Sequence, residues 1–211
     1  MKALIIGNGC DIERQLIENI QIDYVICADG GLEKAKKLNL RPDLILGDFD
    51  SVDSEILENY KKSNIETVVF PPEKDFTDME LAAEYAVKRG FKNILFVGAT
   101  GSRLDHTLAN IQLLEKYHLQ GINAEIIDNN NYISIISGSA EKQIKQKKGY
   151  YVSLVPVTER LEGLTLIGFK YPLKNVVVQR GTAFLISNEI VQDEGRIILN
   201  KGTALVFVSK D

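Results

Sequence analysis

The sequence predicts an α/β domain, a mostly parallel sheet with flanking helices, followed by an all-β sandwich domain. Two observations predict it. Short apolar runs alternate with helix-spaced stretches across residues 3–127. The rhythm then changes near Tyr132, after which β-rich runs recur and no helical pattern stands out. Strand–helix alternation specifies parallel strands covered on both faces. Closely spaced strands punctuated by Gly, Asn and Lys specify an antiparallel sandwich or barrel. The boundary is set in Ser137-Gly138-Ser139 and the basic stretch after it, giving domains over residues 1–136 and 137–211.

The strand-like runs of the first domain are residues 3–6, 24–28, 44–46, 67–70, 94–97 and 124–127. The clearest helix covers 78–89, where Leu81, Ala82, Tyr85 and Ala86 share a face. Thr77 and Glu80 form a T-x-x-E capping box at its start, and Gly90 stops it. A second helix covers 105–117, with Leu108, Ile111, Gln112 and Glu115 in a mixed amphipathic pattern. In the second domain the runs are 151–157, 164–169, 175–179, 183–186, 196–199 and 204–208. The basic cluster 142–148 reads as a solvated loop.

Composition narrows the function. A net charge of −4 leaves no excess of Lys and Arg to neutralise a nucleic-acid strand. No run approaches the roughly 20 apolar residues of a membrane span, and the apolar run at the N-terminus is too short for a signal-peptide core. Two cysteines, Cys10 and Cys27, outside any C-x-x-C pair, fit a reducing cytoplasm better than a disulfide framework.

In open parallel sheets, ligands bind beyond the carboxyl ends of the strands. Here those ends are acidic. They carry Asp29-Gly30-Gly31, Asp48-Phe49-Asp50-Ser51, Lys74-Asp75-Phe76-Thr77-Asp78, and Gly98-Ala99-Thr100-Gly101-Ser102-Arg103-Leu104-Asp105-His106. Any one Asp can be a cap or turn residue. Crowded carboxylates repel unless a cation sits among them, and Mg2+ suits oxygen ligands shared with substrate phosphates. The Asp48-x-Asp50 spacing can converge on one ion. With only His106 and His118, a transition-metal site is poorly supported. Arg103, between glycines and a helix start, and Lys74 are candidate phosphate partners, although Arg103 can instead pair with Asp105. There is no P-loop, and Gly7-Asn8-Gly9 lacks the third glycine of a dinucleotide fingerprint. The segment Asp48-Phe49-Asp50-Ser51-Val52 also fits the nucleophile motif of a haloacid-dehalogenase-type phosphatase, so the loop alone leaves kinase and phosphatase both open.

Taken in order, these segments resemble bacterial thiamine pyrophosphokinases. So do Gly163-Leu164-Thr165, Gly168, Tyr171-Pro172-Leu173, Gly181 and Ser187-Asn188-Glu189 in the second half. The resemblance covers almost the whole chain. It implies transfer of the pyrophosphoryl group of ATP to the hydroxyl of thiamine, giving thiamine pyrophosphate and AMP. It also implies a homodimer whose thiamine site lies at the subunit interface. Carried over, Asp48, Asp50 and Asp78 would bind Mg2+, with Asp29 beside it. Arg103 would act on the phosphates, and Gly30, Ser51, Lys74, Asp75, Thr77, Thr100, Gly101, Asp105 and His106 would line the ATP site. Ser187 and Asn188 would face the thiamine pyrimidine. Some relatives stack thiamine on a Trp, which this chain lacks, so Phe184 or Tyr171 would cover the ring. Diphosphokinases of pterin alcohols carry a similar Asp-x-Asp loop and remain an alternative.

Overall fold

The computed structural model describes residues 1–48, 65–71 and 75–211. Asp50, Ser51 and Lys74 therefore lie outside the described residues. The chain divides into two compact units, Met1–Asn129 and Asn130–Asp211.

Among its described residues the first unit carries six parallel strands: β1 (Lys2–Ile6), β2 (Tyr24–Ala28), β3 (Leu44–Gly47), β4 (Glu66–Val69), β5 (Asn93–Val97) and β6 (Asn123–Ile127). They are ordered β4-β3-β2-β1-β5-β6. The inner strands are buried along nearly their whole length, which is why they read as unbroken apolar runs such as Leu44-Ile45-Leu46. Successive side chains face opposite sides of the sheet. Leu4, Ile6, Val25, Cys27, Leu95 and Val97 form one core with Leu32 and Ala35 of α1 (Gly31–Lys37). Against the sheet also pack α2 (Asp78–Lys88), through β1 to β3, and α3 (Leu104–Leu119), through β6.

α2 matches its sequence expectation. Thr77 Oγ1 accepts the Glu80 N–H at 3.2 Å, and the helix ends before Gly90 at φ 86°. α3 departs from expectation in which face it buries. Asn110, Leu113, Leu114 and Tyr117 are the buried residues, while Leu104 and Leu108 are exposed. A polar Asn on the inner face had disguised it.

The second unit is a sandwich. Strands β7 (Asn131–Ser137), β13 (Thr203–Ser209) and β9 (Tyr151–Pro156) pair antiparallel in that order. Facing them is a sheet ordered β11-β10-β12-β8, from β11 (Leu173–Gln179), β10 (Arg160–Ile167), β12 (Glu194–Leu199) and β8 (Ala140–Lys145). One apolar core joins the two sheets, with Val152, Leu154, Ala204 and Val206 from the first and Leu161, Leu164, Ile197 and Leu199 from the second.

Three sequence expectations need correction here. The unit begins at Asn130 rather than 137, because β7 pairs along its length with β13. The basic stretch from residue 142 begins inside β8, an edge strand paired with β12, and is not all loop. The run 183–186 is a turn closed by Ile186 N–H to the Ala183 carbonyl.

Candidate active site

The strand order places a switch point between β1 and β5. From β1 the chain runs outward through β2, β3 and β4, then returns to the other side of β1 at β5. Loops leaving such neighbours diverge and open a crevice at their carboxyl ends. A cavity of about 500 Å³ lies there. Five strands are followed at once by Gly7, Asp29, Asp48, Gly98 and Asp128, and the first four of these line it.

Two glycine-rich loops form its floor, held together by backbone bonds. Gly9 N–H donates to the Gly98 carbonyl at 2.7 Å and Cys10 N–H to the Thr100 carbonyl at 2.6 Å. A Cβ at Gly9 would overlap both carbonyl oxygens, so the contact requires glycine. Thr107 Oγ1 accepts the Gly101 N–H at 3.0 Å, and Asn110 Nδ2 donates to the Ala99 carbonyl at 2.7 Å. Thr100 Oγ1 donates to Asp128 at 2.7 Å. Every residue from Ala99 to Gly101 is thus tied down from outside the loop.

The sequence-derived site residues separate into groups. Asp29, Asp48, Thr77, Asp78, Thr100, Gly101, Arg103 and His106 all line the cavity. Asp29 sits at φ 46°, a conformation that a non-glycine residue adopts at some cost, with its N–H donating to the Leu46 carbonyl at 2.8 Å. Gly30, Asp75 and Asp105 are not in the described lining. Gly30 lies against the Asn8 side chain, and Asp75 is exposed. Arg103 pairs with Asp105, with its Nη2 2.6 Å from Oδ2. That guanidinium, helped by the His106 N–H, holds the Asp105 carboxyl down at about 2. The pair is solvent-exposed and therefore weak.

Sequence reasoning gave no role to Asn8, Ser102, Thr107 and Asn110, which also line the cavity. Asn110 had a legible signal, being a polar residue on the face that Leu113, Leu114 and Tyr117 bury.

The electrostatics are two-sided. The N-termini of α2 and α3 open on the cavity through Thr77-Asp78 and Arg103, offering N–H groups and positive dipole ends to an anion. Asp29, Asp48 and Asp78 oppose an anion unless a cation accompanies it. Among the described residues no three such groups come close enough to hold a metal by themselves. The donors that line the cavity are carboxylate oxygens, the chemistry that hard divalent cations prefer.

In the second unit, Asn188 is buried and Ser187 exposed. Asn188 Oδ1 accepts the Tyr171 N–H at 3.0 Å, and its Nδ2 donates to the Tyr171 carbonyl at 2.9 Å. The amide thus clasps the Tyr171 backbone. Ser187, at φ 59°, donates its N–H to Ser153 Oγ at 2.9 Å. Tyr171 and Phe184 are 61% and 63% exposed, so both rings are available to cover a ligand.

Residues 14–126 match the thiamin pyrophosphokinase catalytic domain, and residues 128–203 match the vitamin B1 binding domain of the same family. The chain belongs to the thiamin pyrophosphokinase family. It is 36% identical over 165 residues to thiamine pyrophosphokinase of Bacillus subtilis (strain 168), covering 78% of this chain and 77% of the relative. The crystal structure of thiamine pyrophosphokinase from Bacillus subtilis superposes with a TM-score of 0.91 at 30% identity, covering 100% of both chains. That of thiamin pyrophosphokinase from Geobacillus thermodenitrificans gives 0.86 at 32%, covering 100% of this chain and 98% of that one. Family and fold agree with the diphosphokinase reading of the acidic loop rather than the phosphatase one.

Proposed function

We propose that this cavity binds ATP and that the chain transfers its pyrophosphoryl group to the hydroxyl of thiamine, giving thiamine pyrophosphate and AMP. The observation that carries the reading is the convergence of Asp29, Asp48 and Asp78 with the starts of α2 and α3 around one cavity. In this proposal the phosphates lie between the helix starts and the carboxylates. Asp48 and Asp78, with Asp50, hold Mg2+, which neutralises charge on the phosphates. Arg103 exchanges Asp105 for phosphate oxygen, with Lys74 as a second cation. The thiamine oxygen bonds to the β-phosphorus as the bond to the bridging oxygen of AMP breaks, and the hydroxyl proton is released. Positioning and fixed charge supply most of the acceleration.

Thiamine recognition is assigned to the second unit. Asn188 sets the Tyr171 backbone, Ser187 faces the pyrimidine, and Tyr171 or Phe184 covers the ring. We also propose a homodimer whose subunit interface completes the site. Tyr151 and Val155 on β9, with Ile186, leave apolar surface exposed on this unit, as such an interface needs. No described helix is long and apolar enough to cross a membrane. A cytoplasmic location is part of the same proposal, supported by the free thiols Cys10 and Cys27.

The test is incubation with ATP, Mg2+ and thiamine, with AMP and thiamine pyrophosphate quantified and a hydroxymethylpterin as competing acceptor. Asp48→Asn and Asp78→Asn should each lower kcat on the order of 100-fold while far-ultraviolet circular dichroism stays unchanged. Release of ADP, or preference for the pterin, would overturn the assignment.

A further inference from the structure

Two residues that the proposed chemistry does not use sit directly beyond β6. Because β6 lies beside β5, Asp128 is level with the loop that follows β5. Its Oδ2 accepts the Thr100 hydroxyl at 2.7 Å. Asn129 reaches further, to the loop beyond β1. Its Oδ1 accepts the Glu13 N–H at 2.8 Å, and its Nδ2 donates to the Asp11 carbonyl at 3.4 Å. The same two loops meet at the cavity, where Cys10 N–H bonds the Thr100 carbonyl. The contacts close a ring from Thr100 through Asp128, Asn129, Asp11 and Cys10 back to Thr100.

The far side of this ring is anchored too. Lys34 and Lys37 of α1 hold the Asp11 carboxylate at 2.6 and 2.8 Å, which brings it down to about 2. The loop beyond β1 is therefore gripped by α1 on one flank and by Asn129 on the other. Besides the backbone bonds that join the two cavity loops directly, Asp128 and Asn129 tie both loops to the end of β6. Thr100 lines the cavity whereas Asp11, Glu13, Asp128 and Asn129 are not in its described lining, so Asp128 and Asn129 act on the pocket through the loops they hold.

We propose that Asp128 and Asn129 are positioning residues that fix the spacing of the β1 and β5 loops and so preorganise the nucleotide pocket. The inference rests on the ATP-binding reading given above. A purely structural role would predict lost stability with unchanged affinity for nucleotide. A positioning role predicts weaker ATP binding in a protein that is still folded, with recovery when the acceptor atom is restored. Asp128→Asn keeps an oxygen acceptor for Thr100, whereas Asp128→Ala does not.

The experiment is calorimetric titration of ATP with Mg2+ into wild type, D128A, D128N, T100V and D128A/T100V. Thermal unfolding and turnover with thiamine are followed in parallel. D128A should weaken ATP binding about tenfold, the scale of one hydrogen bond to a charged group, and D128N should stay within about twofold of wild type. D128A should add nothing further in the T100V background, because the bond is already absent. N129A should weaken ATP binding in the same direction. If D128A binds ATP like wild type, or loses as much in T100V as in wild type, the inference is overturned. If D128N is as impaired as D128A, the acceptor role is overturned. Wild type that binds ATP but forms no AMP with thiamine would sink the functional reading, while the titrations still decide the positioning role.

Discussion

Gly9→Ala probes the contact on which the proposed nucleotide pocket is built. Gly9 does not need a left-handed backbone, so its substitution tests space alone. The added methyl would overlap the carbonyl oxygens of Thr100 and Gly98. Relief requires the loops beyond β1 and β5 to separate. Separation breaks the Gly9–Gly98 and Cys10–Thr100 hydrogen bonds, now 2.7 and 2.6 Å. Each net bond contributes about 1 kcal/mol, with more lost where a partner stays unsatisfied, so the expected cost is roughly 2–4 kcal/mol. Urea denaturation monitored by circular dichroism would show this as a lower midpoint at unchanged slope. The folded fraction should also bind ATP more weakly, because the same two loops form the cavity floor. Gly101→Ala is the matched control. There the new methyl meets Gly9 Cα at 3.6 Å, ordinary contact, so stability should stay within about 0.5 kcal/mol of wild type. A Gly9→Ala protein as stable as Gly101→Ala, with wild-type ATP affinity, would refute the reasoning.

Two further outcomes follow from helix α2. Thr77→Ala removes the side chain that caps it and should cost about 1 kcal/mol in chemical denaturation, largely recovered in Thr77→Ser. Glu84 accepts from Lys116 Nζ at 2.7 Å and from the Tyr117 hydroxyl at 3.2 Å, joining α2 to α3. The Lys116 bond chiefly, with Tyr117 helping, lowers its pKa from the ordinary 4.5. Below 4.5 the unfolded chain takes up the proton first, so the stabilisation is complete above that value and fades as pH falls through the lower folded one. The stability difference between wild type and Glu84→Gln should accordingly be at most about 1 kcal/mol near neutrality, because both side chains are partly exposed, and shrink in acid. A difference that stays constant on acidification would show that the pairing contributes nothing.

Much of the fold was legible because burial on both faces leaves a plain trace. Residues 24–28 were read as a strand and β2 has those bounds, and α2 ends within a residue of its expected stop. Misreadings arose where that trace is weak or misleading. β8 lies at a sheet edge and its side chains are at best half-buried, so Glu141, Lys142, Gln143 and Lys145 carry no strand signal. The run 183–186 looks apolar, yet Leu185 alone is buried while Phe184 and Ile186 face outward. Its apolarity reflects exposed surface rather than a ladder. β7 has clear β character, but residues 130–136 sit so close to β6 that sequence alone could not say which unit it joins. Pairing with β13, which begins 66 residues after the close of β7, decides it.

The site follows the same division between local and distant information. Acids and glycines immediately after strands are local features, and Asp29, Asp48 and Gly98 stood out for that reason. Asp128 also directly follows its strand, but within the run Asp128-Asn129-Asn130-Asn131 it reads as turn chemistry. Its significance depends on β6 lying beside β5 and on β5 lying beside β1, neither of which any short segment encodes. Arg103 shows the converse. Its local context suggested both a phosphate partner and an ion pair with Asp105, and the structure shows the pair. That pair is exposed and the cavity opens at the same helix start, so the proposed phosphate contact requires the guanidinium to change partner. The acids and glycines that line the cavity directly after strands are thus announced by their own neighbours in sequence. Residues that hold those in place are announced only by the strand order.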